Sequence, residues 1–240
     1  IEGKAYSDKS KTILENTIGK EELERYSSGS IGDVLKNLSG VSSLNTGNTV
    51  VKPLINGLHS SRVVIINNGV RMEDQEWGAE HAPNIDINSI SNLTLIKGAG
   101  ALQYSGDAVG GVIVAEASKV PVKDSLYGKS LMTAASNGRG SSLSSKLTKS
   151  YKNGMYATLQ GTFKRFGDFK APDYILSNTG IFEKSAFLQV GFNRFDYGVE
   201  GYYSIFKNEI GILKASHLGG AKDQVRAIES NIPLIVNDFT

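Results

Sequence analysis

The sequence predicts two unlike parts. Residues 1–118 read as a small α+β domain, and residues 128–240 read as the first strands and loops of a transmembrane β-barrel, with 119–127 as a linker. Three observations carry this. Short apolar runs rich in β-branched residues are interleaved with a helical pattern in the first part. Segments of about ten residues with strict period-2 alternation follow in the second. Between those segments, tight turns and long loops alternate, as the two ends of an outer-membrane barrel require.

Composition narrows the classes. With 40% apolar residues the chain is neither disordered nor built from membrane-spanning helices, since no run approaches the ~18 to 20 apolar residues such a helix needs. A mean hydropathy of −0.19 is compatible with alternating barrel strands. The net charge of +2 gives no footprint for nucleic acid. The absence of cysteine excludes a disulfide framework, zinc–thiolate sites and cysteine catalysis. Ile1 opens without a charged or apolar leader, so an internal start is expected.

In chain order, residues 1–11 are polar and extended, and Lys20 to Tyr26 forms a short helix. Ser30 starts a stronger one. It is an N-cap with Asp33 three residues on, Ile31, Val34, Leu35 and Leu38 share a face, and Gly40 ends the pattern. Val41 to Leu44 is a strand, Asn45 to Asn48 a loop, and Pro53 to Gly57 a second extended piece. Val63 to Asn67 and Val70 to Met72 flank Asn68-Gly69, a pair suited to the two positive φ angles of a type I′ hairpin turn. Leu93 to Ile96 and Val112 to Ala115 complete a domain of four or so strands and two helices.

Five barrel strands follow. Leu131 to Ala135 and Leu143 to Lys149 alternate weakly. The next three are clear: Met155, Ala157, Leu159, Gly161 and Phe163 oppose Tyr156, Thr158, Gln160, Thr162 and Lys164, and the pattern continues over Phe182 to Asn193 and Val199 to Phe206. Tyr151–Gly154 and Phe195–Gly198 are tight turns, whereas 167–180 and 209–240 are long loops. Tyr151, Tyr156, Phe195 and Tyr197 are expected to form an aromatic girdle at the short-turn end, and Lys184 to snorkel from the apolar face. Five strands cannot close around a domain of this size, because a plugged lumen goes with roughly 22 strands. The expectation is therefore the N-terminal part of a longer protein.

The glycines between Lys97 and Val112 have two competing explanations. A phosphate cradle needs Gly-x-Gly-x-x-Gly or Gly-x-x-x-x-Gly-Lys-Ser/Thr before a helix. After Gly98-Ala99-Gly100 the closing position is Gln103, and Gly128-Lys129-Ser130 has Lys123 where the earlier glycine belongs. Close backbone packing is the other explanation. Ala101-Leu102-Gln103-Tyr104-Ser105-Gly106-Asp107-Ala108-Val109-Gly110-Gly111-Val112-Ile113 resembles the Ala-Leu-x-Tyr-Gly-x-x-Ala-x-Gly-Gly-Val-Ile signature that closes the plug domain of TonB-dependent outer-membrane receptors. Lys97, Ala99 and Ser105 depart from the usual Arg, Pro and Gly. Ser30 to Val41, Pro53 to Gly57 and the Asn68-Gly69 hairpin resemble further plug elements, with Asn56 in the place of the family's arginine.

The resemblance implies a plug motif built from Gly57, Asn68, Gly69, Lys97, Gly98, Tyr104, Gly110 and Gly111. It implies import of a scarce nutrient, a siderophore-bound metal, cobalamin or similar small molecule or metal chelate, across the outer membrane of a Gram-negative bacterium. The implied partners are TonB, through a segment upstream of residue 1, and outer-membrane lipid. It further implies two plug loops facing the outer vestibule: one with His59, Ser60 and Ser61, the other with Gln75, Glu76, Trp77, Glu80 and His81. An indole, two imidazoles and two carboxylates suit a polar ligand of moderate size.

No catalytic residue, metal site or cofactor is expected. His59 and His81 lack ligand-pair spacing, and no serine sits in Gly-x-Ser-x-Gly. Two alternatives stay open: a barrel subunit of a structural or secretion complex, and a soluble phosphate-binding enzyme. Detergent dependence separates the enzyme from the receptor, and loss of uptake without TonB separates the receptor from the structural barrel.

Overall fold

A computed structural model of the chain describes residues 14–46, 50–73, 83–172, 175–194, 196–212 and 220–230. The segment Gln75 to His81 lies outside the described residues. In the first part, β1 (Leu14–Gly19) leads into α1 (Lys20–Arg25) and α2 (Ile31–Leu35). Then come β2 (Val41–Thr46), β3 (Val50–Ile55), β4 (Val63–Asn67), β5 (Val70–Met72), β6 (Asn92–Lys97) and β7 (Gly111–Glu116). They form a five-stranded sheet of order β1-β6-β7-β4-β5 and a β2-β3 hairpin. Seven strands thus replace the four or so expected. The largest omission is β1, which pairs with β6 and buries only Ile18, so it shows no alternation for the sequence to reveal.

Local chemistry explains the elements. Ser30 and Asp33 close a capping box: the Ser30 hydroxyl accepts from Asp33 N at 3.3 Å, and Asp33 Oδ2 accepts from Ser30 N at 3.0 Å. Gly32 lets α2 seat on β3, since a Cβ there would lie 2.2 Å from the Val51 carbonyl oxygen. Asn68 and Gly69 take φ of 48° and 82°, as a type I′ turn requires. Ile18, Leu23, Ile31, Val34, Leu35, Ile65, Leu93 and Ile113 fill the core between helices and sheet.

In the second part, β8 (Ser125–Ala135), β9 (Gly140–Ser150) and β10 (Met155–Phe166) run antiparallel. A small hairpin, β11 (Phe169–Lys170) with β12 (Ile175–Leu176), occupies the expected 167–180 loop. Then β13 (Ile181–Asn193) and β14 (Gly198–Ile210) complete a five-stranded curved wall, and α3 (Ala221–Glu229) follows. The strand count matches the expectation, but β8 begins at Ser125, three residues inside the assigned linker. Since Ser125 pairs with Ser150, β8 starts at the end that carries the short turns. The β8–β9 turn at Ser136–Arg139 is also short, yet it sits at the long-loop end, where Asn137 bonds Lys170.

Burial separates the wall's two faces. Along β10, Tyr156, Thr158, Gln160, Thr162 and Lys164 are buried, whereas Met155, Leu159 and Phe163 are exposed. Polar side chains face inward and apolar ones outward, the reverse of a soluble sheet and the arrangement of a lipid-embedded barrel. Lys184 lies on the outward face with its ammonium 4.8 Å from the Phe182 ring centroid. Tyr156 corrects the girdle expectation. It belongs to the inward face, is 5% exposed, and donates to Glu200 Oε2 at 2.5 Å. Tyr151 and Tyr197 remain exposed at the short-turn end.

Candidate functional site

The inward face of the wall holds the α+β domain through buried polar contacts. Asp86 is the hub. Its Oδ1 accepts from Asn88 N and Nδ2 at 2.9 and 3.0 Å, and its Oδ2 accepts from Gln160 Nε2 at 2.8 Å and Ser185 Oγ at 2.5 Å. One carboxylate therefore ties the segment before β6 to both β10 and β13. Gln160 Nε2 also reaches Thr162 Oγ1 at 2.7 Å, and Thr162 donates to Ser144 at 2.9 Å, so the network extends to β9.

Nearer the long-loop end, Lys164 Nζ donates to Glu183 Oε2 and to the Gly29 carbonyl, both at 3.1 Å. Both side chains of this ion pair are over nine-tenths buried, at 5% and 7% exposed. Removed from water, each charge depends on the other. At the β8 edge, Lys129 Nζ lies 2.6 Å from Glu24 Oε2, and Ser27 meets Thr133 at 3.2 Å. Toward the short turns, the Tyr202 hydroxyl donates to the Asn67 carbonyl at 3.0 Å.

Among the described residues, two of the cavities between domain and wall are large. One, of about 220 Å³, opens at the long-loop end among Gly29, Pro83, Ile85, Lys164, Glu183 and Phe206. The other, of about 280 Å³, lies toward the short turns among Asn68, Asn92, Tyr156, Gln189 and Glu200.

The sequence-predicted residues divide into groups. Gly110 and Gly111 act in packing: a Cβ on Gly110 would meet the Arg62 carbonyl oxygen at 2.9 Å, and one on Gly111 the Ile96 carbonyl oxygen at 2.8 Å. Asn68 Oδ1 accepts from Ala117 N at 2.7 Å, clamping the hairpin turn to the strand that leaves the domain. Lys97 Nζ donates to the Ser39 carbonyl at 2.7 Å. Gly57, Gly69 and Gly98 occupy positive-φ turns. Tyr104, 48% exposed, ends a 3₁₀ turn over Gly98–Gln103.

His59 is exposed and pairs its Nδ1 with Ser60 Oγ at 2.7 Å. His59, Ser60 and Ser61 precede β4, at the end of the sheet opposite Asn67, and do not line the cavity at the long-loop end. Gln75, Glu76, Trp77, Glu80 and His81 lie outside the described residues, but Pro83 beyond them lines that cavity. Sequence reasoning missed Asp86 and the Lys164–Glu183 pair. Lys164 and Glu183 did fall on polar faces of alternating strands, which was the available signal.

An α+β domain docked by buried polar bonds against the inward face of an apolar-outside strand wall is the arrangement of a plug beside part of a β-barrel. Residues 8–112 match the family described as TonB-dependent receptor plug domain, and this match, with the relatives and structures below, supports a TonB-dependent receptor with plug and barrel strands. It is 30% identical over 99 residues to the vitamin B12 transporter BtuB of Photobacterium profundum, covering 41% of this chain and 16% of that protein. To the vitamin B12 transporter BtuB of Vibrio vulnificus it is 27% identical over 158 residues, 65% of this chain and 25% of the relative. The chain thus spans a quarter or less of these relatives.

The fold is shared with solved structures. The copper transporter OprC superposes with a TM-score of 0.70 at 19% identity, over 83% of this chain and 31% of OprC. The siderophore receptor PirA from Acinetobacter baumannii gives 0.62 at 18% identity, over 82% and 32%. These relatives are transporters and receptors, not enzymes.

Proposed function

We propose that this chain serves TonB-driven import of a scarce nutrient, a siderophore-bound metal, cobalamin or similar, across the outer membrane of a Gram-negative bacterium. One observation carries the reading: a plug fastened to a barrel wall through buried bonds such as Asp86 to Gln160 and Ser185. A plug held in this way blocks passage until work displaces it, and TonB supplies that work. The names of the relatives, which include vitamin B12, copper and siderophore transporters and receptors, support the same substrate range.

Within this reading the substrate first meets the loop holding Gln75, Glu76, Trp77, Glu80 and His81, with His59, Ser60 and Ser61 as the second candidate loop. The support for the first loop is that Pro83, which follows it, lines the cavity at the long-loop end, and the long loops of outer-membrane barrels lie outside. No side chain is assigned a chemical step.

Uptake of labelled cobalamin and of ferric siderophores, tested one at a time in cells expressing the receptor, decides the matter. Accumulation of one of them that disappears on deleting TonB is the expected result. Uptake of none of them, or uptake indifferent to TonB, would favour the structural or secretion-complex barrel instead.

A further inference from the structure

The two cavities follow the same rows of inward side chains. On β10 the outer cavity ends at Lys164 and the inner one includes Tyr156, on β13 the pair is Glu183 and Gln189, and on β14 it is Phe206 and Glu200. Lys164 to Tyr156 spans eight residues, or about 26 Å of strand. Along those strands a set of plug–wall contacts lies between the two linings. It consists of Asp86 bonded to Gln160 and Ser185, and of Tyr202 bonded to the Asn67 carbonyl with Phe187 stacked on its ring at 6.1 Å.

The plug sits differently on the other strands. Beside β8 and β9 the intervening cavity is only about 50 Å³, closed by Leu23, Ile87 and Ile90 together with the Lys129–Glu24 pair. The plug is therefore seated on the β8–β9 side and gapped on the β10–β13–β14 side.

We propose that the solute route runs along the inward faces of β10, β13 and β14, and that Asp86 is its latch. Releasing the Asp86 carboxylate from Gln160 and Ser185 opens the contact between plug and wall at β10 and β13 and merges the two cavities into one passage, while Ile85 and Ile87 stay in the plug core and the plug stays anchored at β8. The lining sets the class of solute. Lys164, Glu183 and Asn208 with Phe166 and Phe206 at the outer end suit a polar molecule that carries an apolar face. As a transport route this rests on the import reading.

The test needs neither TonB nor a substrate, so its failure is distinct from failure of that reading. These 240 residues contain no cysteine, so in a complete receptor whose remaining part carries none or has any replaced by serine, Asp86→Cys with Ser185→Cys places one thiol pair across the latch, where the native side chains already meet. The complete receptor is inserted in planar bilayers with potassium chloride as the probe. Under reductant the pair should conduct several-fold more than the wild type, and oxidation should return it to the wild-type level. Glu24→Ala with Lys129→Ala, which breaks a plug contact away from the route, should remain at the wild-type level. A reduced pair that stays silent although the receptor is heat-modifiable and trypsin-resistant would overturn the proposal, as would equal conductance in the Glu24/Lys129 variant. Should the cysteine pair fail to insert, Tyr202→Ala tests the same set of contacts with Asp86 intact, and silence there counts equally against it.

Discussion

Replacing Lys164 by Met tests whether the plug-facing wall is as dry as its burial implies. Lys164 Nζ is 3.1 Å from Glu183 Oε2, and both side chains are almost wholly covered. Removing the ammonium leaves the Glu183 carboxylate without its counter-charge in a site water hardly reaches, a loss of about 3 to 5 kcal/mol for a buried pair. The bond to the Gly29 carbonyl goes as well, for about 1 kcal/mol more. Removing both charges, as Lys164→Met with Glu183→Leu, also removes the desolvated carboxylate, and such replacements are neutral or stabilising for many buried pairs. The double variant should therefore recover most of the loss and retain only the ~1 kcal/mol of the unanswered Gly29 carbonyl. The assay is a guanidinium titration of the receptor in lipid, with the folded fraction read from heat-modifiable gel mobility. Equal losses in single and double variants would refute the reasoning, because they would mean that lumen water already solvates Glu183.

Three further outcomes are expected. Gly110→Val should sharply lower the amount of folded receptor in outer-membrane fractions, because its Cβ would press on the Arg62 carbonyl oxygen at 2.9 Å; normal folding with loss of nucleotide affinity alone would restore the phosphate-loop explanation. Gly32→Ala should act in the same direction and more severely, since α2 cannot seat on β3 with a Cβ 2.2 Å from the Val51 carbonyl oxygen, and protease resistance of the plug reports it. Trp77→Ala with His81→Ala should weaken binding of whichever cobalamin or ferric siderophore the receptor accumulates by ~1 to 3 kcal/mol at unchanged abundance, measured by calorimetry on purified receptor; unchanged affinity moves the substrate site to other loops.

The alternation from Met155 to Lys164 was legible because lipid and lumen demand opposite side chains at successive positions, and the structure buries the polar set. The hairpin at Asn68-Gly69 and the cap at Ser30 were legible for a similar reason: each is a local rule satisfied within a few residues. β9 was harder to read. Its inward Ser142, Ser144, Thr148 and Ser150 are buried although polar, with Thr148 bonded to Thr158 and Ser150 to Ser125, so hydropathy gives them no contrast. Asp86 was not legible at all. In sequence it is one carboxylate before a turn, and its meaning lies in Gln160 and Ser185, which are 74 and 99 residues away.

That difference has a physical cause. A plug must leave its barrel wall without leaving bare apolar surface behind, so the contacts that hold it are hydrogen bonds and ion pairs that water can replace. Residues chosen for such contacts are the types found on any solvated surface, and a single sequence cannot distinguish them. The same choice keeps release reversible: Asp86, Gln160 and Ser185 exchange partners with water at a net difference of about 0.5 to 3 kcal/mol per bond, a load that a pull on the plug can overcome in sequence. An apolar seam of equal area would hold at about 25 cal/mol per Å² with no such stepwise exchange, and would be readable in the sequence as an inward stripe. Its absence from the inward faces of β10 and β13, where Phe166, Ile181 and Phe187 are the large apolar exceptions, marks a joint built to open.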